Sequence, residues 1–314
     1  MSNPTVLLIG GPETGKSNFL FRSWTHIFSA DGLIEKDGMP ATADYLQEGA
    51  EFQLRGEFAG HTSQETPEIS EIPIVQKGNP QNKALLIVPD VDGEQINRIY
   101  RDRKWSHQWE ALVTENTAYL FFVRVNSPQT VVPLDWITCH KLYGGAPPLK
   151  SEGEGAKADS GDSEKDRVEG TNKPANEQET GVETPTQVVL VDWLQFIRDA
   201  LHSKYSYAIQ PRVGIVVAGW DCVPPDLKGG ASEWIRENMP LLHQFCVTNN
   251  DVFDFAFFGS SIFSGDPQND PDFAEELEKK DTRTVGYVRY SPSNKESADF
   301  TIPIAWALRW ESTP

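Results

Sequence analysis

Residues 6 to 20 constrain this chain more than any other stretch. An apolar run, Val6-Leu7-Leu8-Ile9, leads directly into Gly10-Gly11-Pro12-Glu13-Thr14-Gly15-Lys16-Ser17, and Asn18-Phe19-Leu20-Phe21-Arg22-Ser23-Trp24 follows. The order predicts a strand, a glycine loop and a helix. Leu20, Trp24, Ile27 and Phe28 fall at i, i+4, i+7 and i+8, which is one helical face. A glycine, four residues and then Gly-Lys-Ser is the pattern in which loop N–H groups wrap a phosphate, the lysine reaches the terminal phosphates and the hydroxyl ligates Mg²⁺. Gly10, Gly11, Pro12, Glu13, Thr14, Gly15, Lys16, Ser17 and Asn18 are therefore the first candidate ligand-binding residues, with Lys16 also catalytic and Ser17 a metal ligand. The following helix adds its positive N-terminal end to the same place. With glycine near 7% of residues, chance produces such a string in about one chain in a hundred of this length. A glycine turn that binds nothing is the alternative, and it leaves the flanking strand and helix patterns as coincidence.

The chain has 314 residues, room for one large domain or two small ones, and nine Trp with sixteen Phe supply aromatic mass for a core. A net charge of −18 argues against broad affinity for nucleic-acid backbone, which depends on clustered Lys and Arg. A phosphate ligand has to be held by local chemistry. Cys139, Cys222 and Cys246 are far apart, without zinc or disulfide spacing, and read as buried reduced thiols. The first apolar run is short and has no basic leader, and no run of about 18 apolar residues follows, so the expectation is a cytoplasmic protein without a membrane span.

Along the chain the first helix is expected to end near Ser29, and a second to run from Asp44 to Leu54. The segment 31 to 68 is long for a connection and carries Thr62-Ser63-Gln64-Glu65-Thr66. Glu68 to Gln76 reads as an edge strand, because Pro73 is tolerated there, and Gly78-Asn79-Pro80 as a turn. Ala84 to Val88 is continuously apolar, as a strand covered on both faces would be, and it delivers Asp90-Val91-Asp92-Gly93-Glu94 at its C-terminal end, where ligands of open α/β sheets sit. Residues 96 to 116 read as helical, with Arg98, Arg101 and Arg103 solvated or facing a partner, and Thr117 to Val125 as another buried strand.

Composition then changes. Ser151 to Gln187 holds ten acidic and four basic residues and almost nothing apolar, so it cannot offset its ordering entropy and is expected to be a disordered insertion spanning 146–187. One domain is expected from 1–145 together with 188–314. Beyond the insertion the pattern predicts a helix at Val188–His202, a strand at Arg212–Ala218 ending in Gly219-Trp220-Asp221, and a helix capped by Ser232 and broken before Pro240. A strand at Val252–Phe258 ending in Gly259-Ser260-Ser261, a helix near Asp272–Lys280, a strand near Thr284–Tyr290 and a helix near Pro303–Trp310 complete it. Strand–helix alternation implies a three-layer α/β fold with a mostly parallel sheet.

The succession of Gly10 to Ser17, a threonine in 62 to 66, Asp90 to Glu94, Asp221 and Ser260 resembles the five-motif layout of the translation-factor-related class of P-loop GTPases, which includes Ras-like proteins. Within it, Ala41-Thr42-Ala43-Asp44-Tyr45-Leu46, Trp234-Ile235 through Pro240-Leu241-Leu242 and Pro303-Ile304-Ala305-Trp306 look like the bacterial double-GTPase group of conflict and phage-defence gene clusters. The resemblance implies GTP or GDP with Mg²⁺ as ligands. It makes Ser17, Thr66 and Asp90 the metal-binding residues, with Thr62 a rival to Thr66. Gly93 would meet the γ-phosphate, Glu94 would orient water, and Asp221 with Ser260 would recognise the base. A protein partner would read the switch regions.

Two departures stand out. The base motif of the class is Asn or Thr, Lys, any residue, Asp; here it is Ala218-Gly219-Trp220-Asp221, so the lysine is missing, Trp220 is a candidate stacking residue, and ATP stays open as the nucleotide. Glu94 stands where Ras-like enzymes carry glutamine, and its charge near a γ-phosphate predicts slow turnover. Three readings follow: a GTPase-type switch, a nucleotide-dependent scaffold or sensor with little hydrolysis, and, more weakly, an ATP-driven motor.

Overall fold

The computed structural model describes residues 3–11, 13–58, 69–89, 99–100, 102–105, 107–127, 130, 184–205, 210–224, 230–291 and 293–310. The chain divides into a unit of residues 1–132 and 184–314 and another of residues 133–183, and every element below belongs to the first. Residues 146–183 of the acidic stretch, Cys139, Arg98 and Arg101 lie outside the described residues.

The order is β1 (Thr5–Ile9), α1 (Lys16–Ser29), β2 (Ile34–Lys36), α2 (Ala43–Leu54), β3 (Ile69–Gln76), β4 (Asn79–Pro89), α3 (His107–Leu112) and β5 (Thr117–Arg124). There follow α4 (Thr186–Tyr205), β6 (Arg212–Ala218), a 3₁₀ turn at Trp220–Cys222, α5 (Ala231–Asn238), α6 (Pro240–Thr248), β7 (Asp254–Ser261), α7 (Pro271–Glu278), β8 (Tyr287–Ser291), β9 (Lys295–Ser297) and α8 (Ile302–Ala307). The strands form one sheet in the order β2-β3-β4-β1-β5-β6-β7-β8-β9.

The sheet is mixed, which corrects the expectation of a mostly parallel one. β4, β1, β5, β6 and β7 run parallel at its centre. β2 and β3 on one flank, and β8 and β9 on the other, add antiparallel pairings. Tight turns account for two of these pairings, one at Gly78 (φ 77°) between β3 and β4 and one at Asn294 (φ 52°) between β8 and β9, whereas β2–β3 and β7–β8 join strands whose connections carry α2 and α7. β3 is also not an edge strand, since β2 pairs with it. β2 is three residues long and pairs only with Ile74–Gln76, so Pro73 lies just past its end and its missing N–H opposes no strand.

Apolar strand residues alternate between two helical layers. Leu7, Ile9, Phe121 and Val217 pack with Trp109, Trp193, Trp234 and Leu242 of α3 to α6. Val6, Leu8, Phe122 and Val216 pack with Trp24 of α1, Leu46 of α2 and Trp306 of α8. Continuous apolar runs in β1 and β5 therefore mean burial on both faces, each large side chain contributing about 1.5–3 kcal/mol. Helix α5 is capped by Gly230 rather than Ser232, and Met239 divides it from α6, whose first residue is Pro240. No helix among the described residues is long and apolar enough to cross a membrane.

Candidate functional site

The loop between β1 and α1 has the backbone that phosphate cradling requires. Glu13 (φ 58°) and Gly15 (φ 84°) are left-handed, the backbone conformation that contributes to anion-binding nests of N–H groups. Thr14 Oγ1 donates to the Gly11 carbonyl at 2.8 Å and closes the turn. Gly15 is required twice over: its φ suits glycine, and a Cβ there would sit 2.7 Å from Ala218 Cβ at the end of β6. No side chain caps α1 at its start, which suits a helix end whose first-turn N–H groups meet an external anion.

Lys16 Nζ donates to the carbonyl of Pro89, the last residue of β4, at 3.1 Å. The lysine thus ties the loop to the strand end that continues into Asp90. Ser17 is half-buried, and its hydroxyl makes no hydrogen bond among the described residues. Ser23, Thr25 and Ser29 of the same helix instead donate to the carbonyl four residues back, at 2.9, 3.1 and 2.7 Å. Ser17 lies in the first turn, where residue 13 belongs to the loop and offers no helical carbonyl, so its oxygen is available to a hard cation. The hydroxyl fits Mg²⁺. Pro12, Thr62, Thr66, Asp90, Gly93 and Glu94 lie outside the described residues.

Asn18 faces sideways. Its backbone carbonyl and Oδ1 both receive Gln53 Nε2 of α2, at 2.8 and 3.3 Å, and Gln53 is wholly buried. Arg22, one turn along, is also buried: Nη2 donates to the Ile262 carbonyl at 2.9 Å, and the guanidinium lies 5.8 and 5.7 Å from the Phe263 and Phe300 ring centres. Burial pulls its pKa down to about 10, partly countered by Asp281. Sequence reading missed both residues. The signal for Gln53 is a polar residue on the buried face of an amphipathic helix, and for Arg22 a charge inside an otherwise apolar helical run.

At the other end of the site, Ala218 and Ser260 are register partners at the C-terminal ends of β6 and β7. Gly219 turns left-handed (φ 72°) into the 3₁₀ turn that carries Asp221, which is half-buried at the surface. Ser260 is 2% exposed. Trp220 does not behave as a stacking residue. It is 0% exposed and packs over β7, where a Cβ on Gly259 would meet the indole at 2.4 Å, so it offers no face to a ligand. Cys222 likewise departs from expectation: it is an exposed free thiol at the end of the turn, while Cys246 is buried. Cys222 Sγ lies 3.7 Å from Asp221 Oδ2, and partial burial together with that carboxylate pushes the thiol pKa up.

Arg103 is turned away from the loop. It pairs with Asp192 of α4 beside a cluster in which the Trp105 ring centre lies 5.4 Å from both Trp193 and Phe196.

A three-layer α/β unit whose glycine loop joins β1 to α1, with a lysine bound to the end of the neighbouring strand, defines the class of P-loop nucleotide-binding proteins. The family model described as Double-GTPase 1 matches residues 7–307, and the chain belongs to that family. GTP binding is what membership implies. No curated protein sequence matches the chain. The strings Trp234-Ile235 and Pro303-Ile304-Ala305-Trp306 prove to be core residues, with Ile235, Ile304 and Ala305 fully buried.

Proposed function

We propose that this protein is a GTP-dependent switch that binds GTP with Mg²⁺ and hydrolyses it slowly to GDP and phosphate. The observation that carries the reading is the Lys16–Pro89 hydrogen bond, which places the loop's cation at the strand end where the chain continues to Asp90 and Gly93. In the proposal, loop N–H groups and Lys16 hold the β- and γ-phosphates. Ser17, Asp90 and Thr66 hold Mg²⁺, which when bound neutralises charge between those phosphates. Glu94 orients water, and its charge keeps turnover low. Asp221 accepts from the purine edge, with Ser260 beside it, and residues 56–68 and 90–105 change arrangement with the nucleotide so that a partner protein reads the state. Membership in a bacterial defence assembly rests on the resemblance alone.

Phosphate release by wild type and Lys16→Ala tests this. The variant is expected to lose more than about a hundredfold. Equal rates would sink the enzymatic reading. The second reading, a nucleotide-dependent sensor without meaningful hydrolysis, is favoured by Glu94 in place of glutamine; it predicts tight GTP binding with phosphate release at background. Competition of labelled GTP by ATP decides the nucleotide, and equal displacement would overturn guanine preference.

A further inference from the structure

The base motif lacks its lysine, and the structure removes the obvious substitute. Gly219 occupies the lysine position and Trp220 is buried against Gly259 of β7. A purine held at Asp221 would then have one ring face without protein cover from that motif. A different residue stands beside it. Arg124 closes β5, and the sheet register aligns Arg124 with Ala218, and Ala218 with Ser260, in a single row across the C-terminal ends of β5, β6 and β7.

Strand alternation fixes the side. Ala118, Leu120 and Phe122 of β5 and Val216 of β6 face the α1 layer, so Arg124 and Ala218 emerge on that side too. Ala218 Cβ abuts Gly15 of the phosphate loop. Arg124 therefore leaves the sheet one strand from that contact, between the loop and the Asp221 turn. It is exposed, and among the described residues it makes no hydrogen bond or close ion pair. Its charge reaches the Cys222 thiol, next to Asp221, and the Asp266 carboxylate beyond β7.

We propose that Arg124 lies against the purine of the bound nucleotide and supplies the cationic cover that Gly219 cannot. A guanidinium is planar and weakly hydrated, so it stacks on an aromatic ring better than an ammonium does. The inference rests on the nucleotide-binding function proposed above. Its test is a set of titrations with GTP, GDP and tripolyphosphate, each with Mg²⁺, on wild type, Arg124→Ala and Lys16→Ala. Loss of a stacked cation is expected to weaken GTP and GDP by the same factor, about tenfold, and to leave tripolyphosphate affinity unchanged. Lys16→Ala is expected to weaken all three. The inference is overturned if Arg124→Ala binds GTP and GDP as wild type does, or if it weakens GTP and tripolyphosphate while sparing GDP, which would put the arginine on the γ-phosphate. If wild type binds none of the three, the nucleotide reading falls and takes the inference with it. Because Arg124 is exposed, its variant is expected to melt with wild type, which separates lost contact from lost fold.

Discussion

Gly259 carries no side chain because the Trp220 indole fills the space where one would be. This contact fixes the turn that presents Asp221, and it explains why a tryptophan in a base motif became core. Gly259→Ala is expected to destabilise by about 1–3 kcal/mol through overpacking, read from chemical denaturation. Trp220→Phe should lower the melting temperature while keeping GTP affinity within roughly twofold, since the ring is a support and not a contact. A large selective loss of affinity would restore Trp220 to the binding face. Cys222 offers a direct probe of the same turn, being exposed beside Asp221. In a Cys139→Ser background, GTP is expected to slow alkylation of Cys222 severalfold relative to nucleotide-free protein, followed by intact mass. An unchanged rate would place the nucleotide away from Asp221.

At the scale of elements, α1 carries the phosphate loop and is clamped from two sides. Gln53 of α2 grips Asn18, and Arg22 reaches across to the chain just past β7. The loop's position is thereby coupled to a helix that precedes the segment around Thr62 and Thr66. The opposite layer is held by aromatic packing of Trp105 and Trp109 on Trp193 and by the Arg103–Asp192 pair. Asp192 is 8% exposed, and among the described residues its buried Oδ2 has no hydrogen-bond partner while Oδ1 pairs with Arg103, which offsets its charge. Arg103→Ala is expected to cost about 1–3 kcal/mol by leaving that carboxylate unpaired. Arg103→Ala combined with Asp192→Asn should cost less than the two single changes added, in a double-mutant cycle by urea denaturation. Strict additivity would deny the pairing.

For the molecule as a whole, alkaline pH is the weak side. Burial pushes Cys246 up to about 12 from 9.0, and burial with Glu296 and Asp221 pushes Tyr287 up to about 12 from 10.0. Tyr119 is raised as well, chiefly by burial. In each case the unfolded chain releases its proton at a lower pH than the folded one. The associated stability is complete below about pH 9 and is lost as pH rises toward 12, at up to about 1.4 kcal/mol per pH unit for each group. Melting temperature is therefore expected to fall steadily from pH 9 to 11, and Cys246→Ala should flatten the first part of that fall. A melting temperature independent of pH over this range would refute the assignment.

The amino-acid sequence alone determined what depends on neighbours along the chain. The spacing of Gly10, Gly15, Lys16 and Ser17 specifies a phosphate-binding turn because loop, lysine and hydroxyl all lie within one strand–helix junction. The periodicity of Leu20, Trp24 and Ile27 and the apolar runs at 84 to 88 and 117 to 125 gave buried elements for the same local reason, while Phe28, at the end of that stripe, is 44% exposed. What depends on register between distant segments was decided by the tertiary structure. Antiparallel pairing of β3 and β8 with their neighbours made the sheet mixed, β2 covered a strand that Pro73 had marked as an edge, and Gly259 drew Trp220 inward. Arg124, Ala218 and Ser260 lie far apart in sequence, and only pairing across three parallel strands sets them in one row.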